Sequence, residues 1–194
     1  MRRSLILLAT LFFAACTTTT KLAPPRVFEP ATRLPDAGGL KNVACLTEGL
    51  FRGAQPSAEG YRRLKDMGVK TVISFRCFTD TREEVEAAGL DYVMIPIYAS
   101  IGSSPPTDEQ LRTFFDTILD PEKQPVYIHC KHGKDRTGMM AALFRIERQG
   151  WTITEATEEM QEFGYHDIFR DLIGFVRTYA RRGYEEPESP VVGQ

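Results

Sequence analysis

Apolar residues along this chain recur with two periods, and stretches of the two kinds alternate from residue 43 onward. Short runs rich in β-branched and aromatic residues at 43–46, 50–52, 69–75, 92–97 and 126–129 predict strands. Between and after them the apolar residues stand three or four apart, the spacing that gives a helix one apolar face. Ser57 is placed to cap a helix over 58–67, with Tyr61 and Leu64 facing inward and Gly68 as its stop. A short helix over 81–88 ends at Gly89. The stretch 109–119 sets Leu111, Phe114, Phe115 and Ile118 on one stripe, with Thr107 or Asp108 at its cap. Helical spacing returns at 137–149, 154–162 and 167–182. Strands alternating with helices predict an α/β fold, a central, mostly parallel sheet flanked by helices, with a C-terminal helical segment. The aromatic residues Phe163, Tyr165, Phe169, Phe175 and Tyr179 are expected in its core.

The two ends depart from this pattern. Met1-Arg2-Arg3 precedes an apolar run from Leu5 to Ala15, broken only by Thr10. A membrane-spanning helix needs about 20 residues, so this run reads as a signal segment. Phe13-Ala14-Ala15-Cys16 resembles a bacterial lipoprotein cleavage box. The resemblance implies a signal peptide over 1–15 and acyl chains on Cys16, anchoring the protein in a bacterial cell envelope, at the periplasmic face or the cell surface. An ordinary secretory signal, and hence a secreted protein, is the alternative. Residues 17–41 lack apolar periodicity and are punctuated by Pro24, Pro25, Pro30, Pro35, Gly38 and Gly39, so 16–41 reads as a flexible tether. One domain is expected over 42–184, followed by a polar, disordered tail over 185–194.

The chain carries 24 Lys and Arg against 26 Asp and Glu, a formal net charge of −2. Loss of Arg2 and Arg3 with the signal peptide would leave 22 against 26, or −4. That balance argues against a nucleic-acid partner and against a broad basic face for a membrane. Positive charge matters locally instead, in His129-Cys130-Lys131-His132-Gly133-Lys134-Asp135-Arg136-Thr137-Gly138. A strand leads into this stretch and a helix leaves it. The first N–H groups of a helix lack internal partners and the helix dipole favours an anion there. Cys130 attacks as a thiolate, which a helix N-terminus and neighbouring cations favour. Arg136 offers a planar fork for two phosphate oxygens. Gly133 allows the tight turn, and a carboxylic acid is needed nearby to protonate the leaving oxygen. His129, Cys130 and His132 stand too close together for ordinary metal-ligand spacing, so no metal and no cofactor is expected.

Cys-x5-Arg followed by Thr and preceded by His resembles the signature loop of the cysteine-dependent protein tyrosine and dual-specificity phosphatases. Leu50-Phe51-Arg52-Gly53-Ala54-Gln55-Pro56-Ser57 and the stretch 68–76 resemble the N-terminal part of the small atypical dual-specificity type. Gly150-Trp151-Thr152, Glu159-Met160 and Phe163-Gly164-Tyr165 resemble its C-terminal helices. The resemblance spans about residues 42–182. It implies a cysteinyl-phosphate intermediate on Cys130, phosphate binding by Arg136, a Thr137 hydrogen bond to the sulfur, and support of the loop and of thiol ionisation by His129. Lys131, His132, Gly133, Lys134 and Asp135 would line the substrate phosphate. Members of the family usually carry their acidic Asp some thirty residues before the cysteine, but 95–104 contains no carboxylate. Asp135 and Asp108 are the two substitutes. The Gly-Lys-Asp-Arg-Thr core resembles that of secreted bacterial atypical lipid phosphatases, and Asp-Arg-Thr that of myotubularins, both thought to use the loop aspartate. Asp135 is therefore favoured as acid, the competing role being a brace for Arg136, while Asp108 competes with Thr107 for a helix cap.

The expected substrates are phosphoproteins or phosphoinositide and inositol phosphates, the latter suited by Lys131 and Lys134. A phosphate-binding module without turnover and a rhodanese-like sulfur transferase are the competing functions. Of the remaining cysteines, Cys77 is a candidate redox partner of Cys130. A Cys45–Cys77 bridge or two free thiols are the alternatives.

Overall fold

The computed structural model describes residues 27–182, apart from 101 and 103. Its strands are β1 (Thr32–Arg33), β2 (Ala44–Thr47), β3 (Leu50–Ala54), β4 (Thr71–Ser74), β5 (Asp91–Met94) and β6 (Val126–Cys130). They form one sheet in the order β1-β2-β3-β6-β4-β5. The β1–β2 and β2–β3 pairs are antiparallel, while β3, β6, β4 and β5 run parallel to one another. The mostly parallel, helix-flanked sheet expected from the sequence is what is found. β6 lies at its centre and is buried at all five positions, as a strand covered on both faces must be.

The helices are α1 (Ala58–Asp66), α2 (Arg82–Ala87), α3 (Asp108–Leu119), α4 (Asp135–Gln149), α5 (Ile153–Glu162) and α6 (Arg170–Arg182). Side chains alternate across the sheet. Val126, Ile128 and Cys130 join Ile73, Leu111, Phe114, Met139 and Leu143 on one face. Tyr127 and Val72 join Tyr61, Leu64 and Val85 on the other. Ser57 accepts from the Gly60 N–H at the start of α1. Thr107, not Asp108, caps α3, in a capping box with Gln110. This box satisfies two donors that would otherwise lack partners. Phe163, Tyr165 and Tyr179 are buried, and Phe169 and Phe175 pack against the core.

Part of the expected tether belongs to the fold. Of 16–41, residues 27–41 pack on the domain, and 1–26 lie outside the described residues, as does the tail over 185–194. Val27 N–H donates to the Gln149 carbonyl, and its own carbonyl accepts from Trp151 Nε1 at 2.8 Å. Phe28 stacks on Trp151, Ala31 N–H reaches Glu159, and β1 extends the sheet. Prolines and glycines suggested a linker, but the partners of Val27, Phe28 and Ala31 lie more than 100 residues away, where a local pattern cannot show them. The segment meets the C-terminal end of α4. The Cys130–Arg136 loop meets the other end of this helix, roughly 22 Å away for 15 residues.

Candidate active site

The loop from Cys130 to Asp135 joins the carboxyl end of β6 to α4, where ligands bind in such sheets. Its shape is held from outside. The Lys131 carbonyl accepts from Gln55 N–H at 3.4 Å. Asn42 Nδ2 contacts the His132 and Gly133 carbonyls at 3.2 and 3.3 Å, and Arg52 Nη2 donates to the Gly133 carbonyl at 2.9 Å. Three consecutive carbonyls are thus turned away from the pocket. The His132 and Thr137 N–H groups face the Cys130 sulfur. Gly133 has φ +69°, and a Cβ there would meet the Gly53 and Ala54 backbone at 2.4–2.6 Å. Only glycine satisfies both the left-handed conformation and this approach to β3.

Burial alone would push the Cys130 thiol up, but hydrogen bonds from the Thr137 side chain and N–H, the Arg136 charge and the His132 N–H outweigh it, and its pKa is lowered. Apart from the sulfur, the Thr137 hydroxyl has no hydrogen-bond partner among the described residues. Arg136 is braced by carbonyls rather than by a carboxylate. Its Nη1 donates to Phe75 at 3.1 Å and to Ile97 at 3.4 Å, and its buried Nε is unpaired among the described residues. A guanidinium so placed is oriented yet retains donors for an oxyanion.

The expected roles divide on this geometry. His129 supports the loop, its Nδ1 lying 3.1 Å from the Cys130 carbonyl. Burial, helped by Arg76 and Arg136, pushes its pKa down to about 4, so it is neutral at neutral pH and lends the thiolate no charge. His132 is exposed, and partial burial and the Lys131 and Lys134 charges lower its pKa. Lys131 is exposed and Lys134 half-buried at the mouth. Asp135 is buried as the first residue of α4, and its carboxylate faces His166, not Arg136. The brace expected between Asp135 and Arg136 is not what the carboxylate does. Asp108 is exposed at the start of α3.

Cys45, Cys77 and Cys130 are free thiols. A Cys45–Cys77 bridge is excluded by topology. Cys45 pairs with Phe51, Phe51 with Tyr127, and Tyr127 with Val72. Those three strand spacings put Cys45 roughly 14 Å from β4, twice the Cα separation of about 7 Å that a disulfide tolerates, and Cys77 lies three residues beyond the end of that strand. Cys77 instead follows Phe75, whose N–H donates to the His129 carbonyl beside Cys130.

Residues 41–170 match the family model described as DSP-PTPase phosphatase fused to NAD+ kinase. The chain belongs to this family. Within it, the chain is 36% identical over 139 residues to the dual specificity protein phosphatase TpbA of Pseudomonas aeruginosa (strain UCBPP-PA14), covering 70% of this chain and 62% of that protein. It is 31% identical over 129 residues to the inositol diphosphatase DSP2 of Oryza sativa subsp. japonica, covering 63% and 61%. The chain thus spans about three-fifths of the length of these curated relatives. The crystal structure of P. aeruginosa TpbA superposes with a TM-score of 0.66 at 32% identity, covering 77% of this chain and 89% of that one. The core catalytic domain of the PP-IP phosphatase SIW14 from S. cerevisiae has a TM-score of 0.63 at 20% identity, covering 72% and 85%, a likeness of fold alone.

Four residues around this family's loop escape a reading of the sequence. Asn42 adopts φ +52° and bridges the loop to the Phe163 carbonyl. Arg52 is fully buried, its guanidinium 3.9 Å from the Phe163 ring centroid, and burial lowers its pKa to about 10. Gln55 reaches the loop through its backbone. His166 comes from the α5–α6 connection. Arg52 and Gln55 lie in the motif 50–57, whose resemblance marked the stretch but not its contact with the loop. Asn42 and His166 carry no local signal.

Proposed function

We propose that this protein is a cysteine-dependent phosphomonoester phosphatase. The observation that carries the reading is a thiol of lowered pKa at a helix N-terminus, ringed by N–H groups, with the Arg136 fork beside it. Cys130 Sγ attacks phosphorus while Arg136 and the loop N–H groups hold the equatorial oxygens, where charge accumulates in the transition state. The phosphorus–oxygen ester bond breaks, and the leaving oxygen takes a proton from the Asp135 carboxylic acid. Water then attacks the cysteinyl phosphate and gives its proton to the Asp135 carboxylate, releasing phosphate and the Cys130 thiolate. Thr137 steadies the departing sulfur.

The substrates are phosphoproteins or phosphoinositide and inositol phosphates. The printed names of relatives include both a dual specificity protein phosphatase and inositol diphosphatases. A cysteine-to-serine variant of P. aeruginosa TpbA, whose crystal structure is 29% identical to this chain, was crystallised with pTyr. Lys131 and Lys134 at the mouth suit a ligand with several phosphates. Cys77, close beyond the strand next to Cys130, is the candidate for a protective disulfide with the nucleophile.

The cell-envelope reading rests on the sequence pattern of residues 1–16, with Cys16 as lipidated residue and a membrane reached through that anchor. Among the described residues no helix is long and apolar enough to cross a membrane. Metabolic labelling with a fatty-acid analogue tests it, since Cys16→Ala should abolish incorporation.

Hydrolysis of p-nitrophenyl phosphate, phosphopeptides and inositol polyphosphates by the wild type and Cys130→Ser tests the activity. Turnover lost in Cys130→Ser, with vanadate or phosphate binding retained, is expected. Wild-type protein that binds phosphate without turnover would favour the inactive module.

A further inference from the structure

Three polar contacts on the Asp135 carboxylate come from one residue 31 positions away. The His166 N–H donates to Oδ1 at 2.8 Å, and Nδ1 lies 3.0 Å from Oδ1 and 3.1 Å from Oδ2. The Asp135 side chain is 12% exposed and that of His166 47%, so an imidazole at the surface grips a carboxylate beneath it.

His166 is itself held. The Tyr165 hydroxyl donates to the Phe169 carbonyl, Phe169 N–H donates to the His166 carbonyl at 3.0 Å, and the two rings meet edge to face at 6.3 Å. Gly164, at φ +82°, brings this connection against Lys134, where a Cβ would lie 3.1 Å from Cε. His132 and Tyr165 both feel the Asp135 charge, His132 also the charges of Lys131, Lys134 and His166, and Tyr165 those of Asp167 and Asp171.

Resting on the phosphatase reading above, we propose that His166 is a positioning residue for the proton donor: its N–H and Nδ1–H fix the Asp135 carboxyl group so that its acid proton meets the leaving oxygen. With the imidazole proton on Nδ1, Oδ1 receives the two shortest contacts and Oδ2 carries the acid proton. That proton passes to the leaving oxygen as the phosphorus–oxygen bond breaks. The resulting carboxylate stays in the same grip and takes a proton from the attacking water in the second step. An ungripped carboxyl group would rotate and spend part of its time turned from the bond being broken.

The experiment compares phenyl phosphate with p-nitrophenyl phosphate, two esters of similar shape whose leaving groups differ in their need for a proton. His166→Ala should lower kcat/KM on phenyl phosphate by about tenfold or more, part of the roughly 10²–10⁴-fold that a positioned acid supplies. It should leave kcat/KM on p-nitrophenyl phosphate, which reports only the steps up to release of the leaving group, within about threefold. His166→Asn, whose amide can supply an N–H near the position of Nδ1, should recover most of the loss. In an Asp135→Asn background, His166→Ala should cost nothing further, because a residue acting through another has no separate effect. Equal losses of kcat/KM on both esters, an additive loss in the Asp135→Asn background, or wild-type behaviour of His166→Ala would overturn the positioning role while the phosphatase reading stands. A wild type that hydrolyses neither ester would overturn both.

Discussion

Gly133→Ala asks whether the shape of the loop, and not only its reactive side chains, makes the site. At φ +69° an alanine is strained by roughly 1–2 kcal/mol. Its Cβ would stand 2.4 Å from the Gly53 carbonyl carbon, 2.5 Å from the Gly53 oxygen and 2.6 Å from the Ala54 nitrogen. All three are backbone atoms of β3, which is paired on both edges, so no side-chain rotation relieves the contact. Overpacking of this kind adds about 1–3 kcal/mol, for a total of roughly 2–5 kcal/mol. A domain stable by about 5–15 kcal/mol stays folded under that cost except where the two ranges meet, and the loop, bounded by rigid β3 and β6, is the part that moves. A shift of about 1 Å in a positioned site costs on the order of 100-fold in rate. Steady-state hydrolysis of p-nitrophenyl phosphate, vanadate inhibition and urea unfolding measure the three consequences separately. The expected result is a folded protein with a lower urea midpoint, weaker vanadate inhibition and kcat/KM reduced about 100-fold. Wild-type kcat/KM in a destabilised variant would refute the claim that the Gly53–Gly133 approach shapes the pocket.

The lowered Cys130 pKa predicts alkylation by iodoacetamide with a midpoint below the ordinary thiol range, and Thr137→Val should move it upward; an unmoved midpoint would remove Thr137 from the causes. The same shift makes stability rise with pH between the folded and unfolded thiol pKa values, and this gain is lost as pH falls through the folded value. Arg52→Met removes a buried cation whose Nε and Nη1 are unpaired among the described residues, so unfolding should change by less than about 2 kcal/mol, while kcat/KM falls about tenfold or more as the Gly133 carbonyl loses its outer partner. Unchanged kinetics would show that Asn42 alone holds that carbonyl. Glu159→Gln leaves Arg145, fully buried and paired with Glu159 at 2.7 Å, as an uncompensated charge, costing about 3–5 kcal/mol in urea unfolding; a loss under 1 kcal/mol would mean that Gln149 and the Leu46 carbonyl, which also accept from Arg145, suffice.

Much of the molecule was legible one stretch at a time. Strand and helix periods, the Ser57 and Thr107 caps, and the cysteine, arginine and threonine of the loop are local features, because hydrogen bonds within a helix and the order of a signature motif depend on near neighbours. The family resemblance over 42–182 agrees with the matched span 41–170 for the same reason. What the tertiary structure decided lies across long separations. Asn42, Arg52 and Gln55 turn the loop carbonyls outward from 75 or more residues away, His166 grips Asp135, and Val27 and Phe28 lie at the end of α4. Sheet order alone removed the Cys45–Cys77 bridge. Burial made His129 neutral, since a charge taken out of water loses its solvation, and no count of histidines in a sequence reports how deeply one is buried.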